Sequence, residues 1–278
     1  MTATDSWHGL RAGDQIGNLE YPVDGDTLAE YRQVVGVDGC FPNVMAEDCR
    51  AMLTGRGPGA PLTTLWQTLH FFRPPILGRR VQVGGWVREI RVKRGLPWIK
   101  AAAFAVDEIG TEILRSEAAF AVGQNGAQQE PIMAERLETN PQGINLPGSR
   151  AGDGGCLGEF HLPTQKSVDA YLEVANQMAG INLAPDPNGM TSIAAGWLET
   201  LMGAHFGDDF RWGGRLSIAY HQAFTAGMEL RCDAVVIGHD TDARNVETRR
   251  VAMSVRDASD NRMATAEAVV QSPSPRLI

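Results

Sequence analysis

Two stretches of this chain repeat one another at nearly constant spacing, and that repeat limits the fold more than any other feature. FFRPPILGRRVQVGGWV, residues 71–87, aligns with YHQAFTAGMELRCDAVV, residues 220–236, and sets Gly78 on Gly227 at an offset of 149. Further on, RSEAAFAV from Arg115 aligns with TAEAVV from Thr265, with Glu117 on Glu267 at an offset of 150, while Arg94 and Lys100 fall on Arg244 and Arg250. Upstream, DTLAEYRQVVG from Asp26 aligns with KSVDAYLEVAN from Lys166, with Tyr31 on Tyr171 at an offset of 140. Identities are few, but three matches in one order point to a tandem duplication. The first copy lacks nine residues that the second holds between helix and sheet.

Each copy reads as a short capped helix, a longer apolar helix and three or four long strands. VQVGGWVREIRV, WIKAAAFAV and EILRSEAAFAV have the length and apolar spacing of sheet strands, and VAMSV and ATAEAVVQ echo the last two in the second copy. A long helix beside such strands hides its apolar surface on one face of the sheet. The expected class is therefore α+β, each half a long helix packed in a curled antiparallel sheet. Residues 123–158 are rich in Gly, Gln and Pro and lack sustained apolar periodicity, so they read as a linker between an N-terminal half, 1–122, and a C-terminal half, 159–278.

Charge and composition exclude several function classes. A net charge of −8 and an isoelectric point near 5.3 disfavour a general nucleic-acid or anionic-membrane binder. The N-terminus MTATDSWHGLRAGDQIG has no basic segment followed by an apolar run, and nowhere do eighteen apolar residues follow one another, so a cytoplasmic location is expected. Cys40, Cys49, Cys156 and Cys232 show no metal-ligand spacing and read as free thiols, with no metal expected. There is no phosphate-binding loop, dinucleotide fingerprint or nucleophile elbow.

LRAGDQIG before the first strand, the helix starts DTLAEY and KSVDAY, the strand leads FFRPPILGRRVQV and YHQAFTAGMELRC, and IAAGW at 193–197 together resemble a double hotdog protein of the MaoC-like hydratase and dehydratase family. Double hotdog acyl-CoA thioesterases share the later strands but lack the helix-opening pattern. The resemblance implies addition or removal of water at an α,β-unsaturated acyl group, carried as a thioester on coenzyme A or an acyl carrier, with no further cofactor. It also implies a motif S-G-D-x-N-P-x-H, with an aromatic residue six before the Asp, and I-x-H-G-M at the start of the central helix. There the carboxylate and imidazole position and deprotonate a water, and a Gly N–H holds the thioester oxygen.

Carried onto the second copy, the motif puts Gln177 in the Asp place, Asn182 in the His place and Ala195 in the second His place, leaving Gly196 as a backbone donor. A neutral amide holds a water or carbonyl but cannot take its proton. Glu199, three residues past Gly196, and His221, which replaces Phe72 of the first copy, are the candidates to move the proton instead; their structural readings are a solvated or ion-paired helix residue and a packing histidine. Tyr171, Tyr220, Trp197 and Asp38 are candidate substrate contacts, Asp38 having the alternative of a turn or cap.

Residues 73–100 hold eight cations, Arg73, Arg79, Arg80, Arg88, Arg91, Lys93, Arg94 and Lys100, against Glu89 alone. They read either as a site for coenzyme A phosphates or an acidic carrier, with Arg73, Arg79 and Arg94 foremost, or as polar strand faces and a hairpin tip. The reading that follows is a hydratase or dehydratase with an altered site, against a non-catalytic acyl-CoA-binding or auxiliary subunit, or a hotdog thioesterase, isomerase or cyclase. A homodimer or a related hotdog subunit is the expected protein partner, with no nucleic acid and no membrane.

Overall fold

A sheet that reads the same from both ends carries the duplication into three dimensions. The computed structural model describes residues 7–29, 42–56, 62–122, 144–145, 156–169, 189–242 and 246–273, apart from positions 8, 27, 94, 95, 165 and 168. Its strands are β1 (Gln15–Pro22), β2 (Leu62–Phe71), β3 (Arg80–Lys93), β4 (Leu96–Asp107), β5 (Glu112–Val122), β6 (Ile144–Asn145), β7 (Cys156–His161), β8 (Arg215–Tyr220), β9 (Glu229–Thr241), β10 (Val246–Asp257) and β11 (Arg262–Pro273). The helices are α1 (Pro42–Arg56), α2 (Gly189–Phe206) and the short α3 (Asp208–Arg211). All pairings are antiparallel, in the order β1-β3-β4-β5-β2-β8-β11-β10-β9, with β6 and β7 both paired to β9. Read outward from the β2–β8 junction, each half runs second, fifth, fourth, third, first strand of its copy.

The junction lies on the repeat itself. Thr68 pairs with Ser217, and their hydroxyls are 3.2 Å apart across a separation of 149 residues, the offset that aligns Gly78 with Gly227. Each of these residues is the counterpart of the other, so a local two-fold axis passes between them. Further out, matching chemistry makes matching turns. Asp107 Oδ1 accepts N–H groups from Ile109 and Thr111 at 3.2 and 2.8 Å; Asp257 Oδ1, 150 residues on, accepts those of Ser259 and Asn261 at 2.9 and 2.8 Å. Both turns finish in the left-handed region, at Gly110 (φ 80°) and Asp260 (φ 65°). The first strand of each half also carries a register shift at the same point, between Gln15 and Gly17 and between Cys156 and Gly158. A β-carbon on Gly17 would stand 2.8 Å from Met52 Sδ of α1, and one on Gly158 2.7 Å from Leu201 Cδ2 of α2, so glycine lets each helix press against its bulged strand.

Strand alternation gives the sheet one apolar face, and the helices cover it. Met45, Ala46 and Met52 of α1, Ile193, Trp197, Leu198 and Met202 of α2, Leu69 and Phe71 of β2, and Leu216 and Ile218 of β8 belong to one buried cluster spanning both halves. A second cluster sets Cys49 and Leu53 of α1 against Ile16, Val87, Ile99 and Phe120. We call this helix-covered side the inner face. Cys49 and Cys232 are buried free thiols.

The expected linker, 123–158, contains β6 and the start of β7. These short segments escape a periodicity search because each is held by pairing to β9 and not by an apolar face of its own. Among the described residues no helix is long and apolar enough to cross a membrane.

Gly214 joins α3 to β8 where space runs out. A β-carbon there would lie 2.2 Å from the Phe210 carbonyl oxygen and 2.5 Å from its ring, and Phe210 in turn packs against Phe71 with ring centroids 5.1 Å apart. Gly214→Ala is therefore expected to lower stability by about 1–3 kcal/mol, read as a lower urea midpoint with an unchanged slope.

Candidate active site

On the inner face of the second half the sequence places its candidate groups mainly on α2 and the end of β8. The helix opens at Gly189, so Gly196 is its eighth residue. This corrects the expectation that Gly196 supplies a helix-start donor, because an N–H that deep in an α-helix is already committed to the carbonyl four residues earlier. The donors of the first turn begin at Gly189, and Gly189-Met190 reproduces the Gly-Met of the I-x-H-G-M pattern better than Gly196-Trp197 does. The dipeptide was readable in the sequence; what obscured it was the Ile of IAAGW, which matches the first position of the pattern.

Trp197 is buried and stacks on Phe160 of β7, with ring centroids 5.4 Å apart at 15°. It forms wall more than reactive surface. Two residues on, Glu199 is 1% exposed, among Leu198, Thr200 and Met202 of the same helix, all buried. Tyr220, at the end of β8, is buried too, and its hydroxyl donates to Gln67 Oε1 of β2 at 3.4 Å. The counterparts of Tyr220 and Gln67 across the local axis are Phe71 and Leu216, both apolar and buried. A polar link therefore crosses the junction on one side of the axis only.

His221 occupies the backbone setting of its counterpart. Its N–H donates to the Met263 carbonyl at 2.9 Å, as that of Phe72 does to Ile113 at 2.9 Å. The imidazole, however, turns away from the helices. Nε2 is 2.9 Å from Thr265 Oγ1, and Thr265 pairs with Ala219, one residue out of phase with inward Tyr220 and Ile218. His221 thus stands on the outer face and not beside Tyr220 and Glu199. Alternation decides this: a residue next to an inward Tyr220 points outward.

The basic segment separates into ion pairs. Arg73 holds the buried carboxylate of Asp107, with Arg79 at 3.7 Å from the same group and 3.8 Å from Glu108. Arg80 meets Glu20 at 2.6 Å, Lys100 and Arg88 share Glu117 at 3.2 and 3.8 Å, and Arg91 pairs with Glu89. Local counting missed these partners because most of them come from other strands. Arg94, like Asp38, Tyr171, Gln177 and Asn182, lies outside the described residues.

One pair was missed altogether. The Tyr21 hydroxyl donates to Asp48 Oδ2 at 2.5 Å, joining β1 to α1 on the inner face of the first half. Nothing in the 27-residue separation announces it; Asp48 reads as an ordinary polar helix residue.

Burial lowers the affinity of three imidazoles for a proton. His70, His205 and His221 all sit below the ordinary value, each mainly through burial, with Arg215 and Arg115 adding to the effect at His70 and Arg262 at His221. The unfolded chain therefore takes up protons first as pH falls through about 6.5, and stability rises with pH across that window. A lower melting temperature at pH 5.5 than at pH 7.5 is expected, with a shallower pH slope in the double variant His70→Phe, His221→Phe.

Searches with the sequence alone find no matching protein-family model and no similar curated protein. The structure finds many relatives in shape. It is similar to a protein described as a MaoC-like dehydratase, at 13% identity and a TM-score of 0.63 over 95% of this chain and 99% of that one. It is also similar to the peroxisomal multifunctional enzyme type 2 of Drosophila melanogaster, at 14% identity and a TM-score of 0.59, covering 94% of this chain but only 49% of that enzyme. A third likeness, at 11% identity and a TM-score of 0.58, is to a conserved hypothetical protein of Mycobacterium tuberculosis described as having a double hotdog fold, over 98% and 100% of the two chains. At such identities the likeness establishes the fold, which is that of hotdog and double hotdog proteins.

Proposed function

We propose that the chain is a MaoC-like enzyme acting on an α,β-unsaturated acyl thioester, with its altered site on the inner face of the second half. The observation that carries this reading is Glu199, a carboxylate 1% exposed in the middle of the central helix of that half. Burying such a group costs several kcal/mol, and a carboxylate kept at that cost inside the central helix is the group of this half best suited to chemistry.

In the hydration direction a C–O bond forms between water and the β carbon while the π electrons move onto the thioester oxygen. An amide N–H of Gln177 or Asn182 is the donor for that oxygen, because the first-turn N–H groups at Gly189 lie ten residues, about 15 Å, from Glu199 along α2. Glu199 takes the proton that water loses and returns it to the α carbon, closing the cycle without net change; dehydration runs the same steps backward. Gln177 and Asn182 hold the water or the carbonyl, as amides can. The thioester is carried on coenzyme A or an acyl carrier. Arg73 and Arg79, already engaged with Asp107, position the β4–β5 turn more directly than they offer charge to a phosphate.

The competing reading is a non-catalytic acyl-CoA-binding or auxiliary subunit, which the amides at 177 and 182 favour. Loss of the conjugated thioester absorbance of short, medium and bulky enoyl-CoA substrates separates the two. Turnover is expected, falling at least ~100-fold in Glu199→Gln with the fold retained by circular dichroism. Binding without turnover would select the auxiliary subunit, and release of free thiol the hydrolase. His221→Phe, which restores the first-half residue on the outer face, should leave kcat/KM within about twofold, whereas a general base would cost ~100-fold or more. Gln177→Asp combined with Asn182→His should raise the hydration rate.

A further inference from the structure

The outer face of the first half carries a cleft that the hydration chemistry leaves unused. About 210 Å³ in volume, it is lined by Trp66, Trp98, Glu89, Arg91, Lys100 and Ala119, with Ile99 beneath. Strand register builds it from two adjacent rows. Glu89, Lys100, Ala119 and Trp66 form one cross-strand row over β3, β4, β5 and β2; Arg91, Trp98 and Ala121 form the next. Ala119 keeps the floor low beside Trp66, while Ala121 is fully buried in a cluster with Leu65 and Trp98. Lys100 Nζ lies 5.3 Å from the centre of the Trp66 ring and is steadied by Glu117 at 3.2 Å. Glu117 in turn faces Arg88, whose guanidinium covers Trp86 at 5.0 Å.

The second half shows what this backbone carries when no such cleft is built. Register places Gly238, Arg250, Val269 and Arg215 in the row equivalent to Glu89, Lys100, Ala119 and Trp66, and Asp240 and Thr248 in the places of Arg91 and Trp98. The same strands pair as well with no aromatic residue in either row, so neither indole is demanded by the sheet. Trp98 is buried in a cluster with Leu65 and Ala121 and backs Trp66, which is only partly buried and is the indole that offers a face to a ligand. Lys100 holds the cation position over Trp66 and Arg91 stands across from it; with Arg88 sharing Glu117, three cations here face the two carboxylates of Glu89 and Glu117, a balance that favours an anion beside the aromatic ring.

We propose that this cleft is a binding site for a small planar aromatic anion, its ring against Trp66 and its charge toward Lys100 and Arg91. The site is distinct from the thioester site, since it opens on the opposite side of the sheet from α2 and Glu199. It stands whether or not the chain turns over a thioester.

Calorimetric titration of the full chain with 2-naphthoate tests it. Saturable one-to-one binding is expected, at least about tenfold tighter than for the saturated decahydro-2-naphthoate and with no measurable binding of 2-naphthyl-trimethylammonium. Trp66→Leu should weaken 2-naphthoate binding about tenfold or more, and Lys100→Gln should weaken it while leaving the affinity for neutral 2-naphthol within about twofold. Trp212→Leu, which removes an indole 58% exposed elsewhere on the surface, should change nothing. Because Trp98 is largely buried and its loss could disturb folding, the test rests on Trp66 and Lys100. No saturable binding, equal affinity for the saturated analogue, or unchanged affinity in a folded Trp66→Leu protein would overturn the proposal.

Discussion

The pairing of β2 with β8 is the contact on which the rest of the molecule depends. Five cross-strand pairs, from Trp66–Ala219 to His70–Arg215, turn two five-stranded units into one sheet, with a single inner face for both central helices. Without this seam each unit would expose an edge strand whose N–H and C=O groups need partners, and the inward residues Leu69, Phe71, Leu216 and Ile218 would lose their shared cover. Because Thr68 and Ser217 sit on the axis of the duplication, the junction brings equivalent residues face to face, and the two halves are kept in register by hydrogen bonds that belong to both.

That seam also decides which side chains can cooperate. Residues of β2 reach the second half, so Gln67 of one copy completes the hydrogen bonding of Tyr220 of the other. Residues one step out of phase cannot join them. His221 follows Tyr220 in sequence yet is separated from it by the thickness of the sheet, and its partner is Thr265 on the far side. A period of two residues thus divides neighbours into an inner set that packs against the helices and an outer set of charges and aromatics.

Much of the fold was legible in the sequence because the chain states it twice. Offsets of 149 and 150 make the Asp107 and Asp257 turns equivalent, and β5 has the bounds its apolar pattern gives; that the equivalent residues Thr68 and Ser217 also meet is added by the sheet. The site was less legible, for reasons that differ by residue. Gly189 was overlooked because IAAGW, with Gly196, matches the start of the I-x-H-G-M pattern while Gly189-Met190 lacks its Ile and His. The Arg73–Asp107 and Arg80–Glu20 pairs were invisible because 34 and 60 residues separate partners that the sheet brings together. Tyr21 and Asp48 meet only once α1 has packed on β1. The outward turn of His221, by contrast, could have been read, given that Tyr220 ends a strand facing inward.

A duplicated chain contains its own control, and the two copies sort positions by what the fold demands. Where both keep the same feature, the backbone needs it: the positive-φ glycines Gly78 and Gly227, the Asp107 and Asp257 turns, and the glycines under each helix at positions 17 and 158. Where the backbone is the same and the side chain has changed kind, the fold is indifferent and some other requirement has acted. Phe71 against Tyr220, Leu216 against Gln67, and Trp66 with Trp98 against Arg215 with Thr248 all belong to this second group. The differences are not scattered. Polar substitution gathers on the inner side of the junction near β8 and aromatic substitution on the outer side of the first half, so the copies have diverged into two unlike surfaces on one scaffold. Divergence of that kind costs the sheet little, because strand pairing is carried by the main chain and tolerates either face so long as one of them stays apolar.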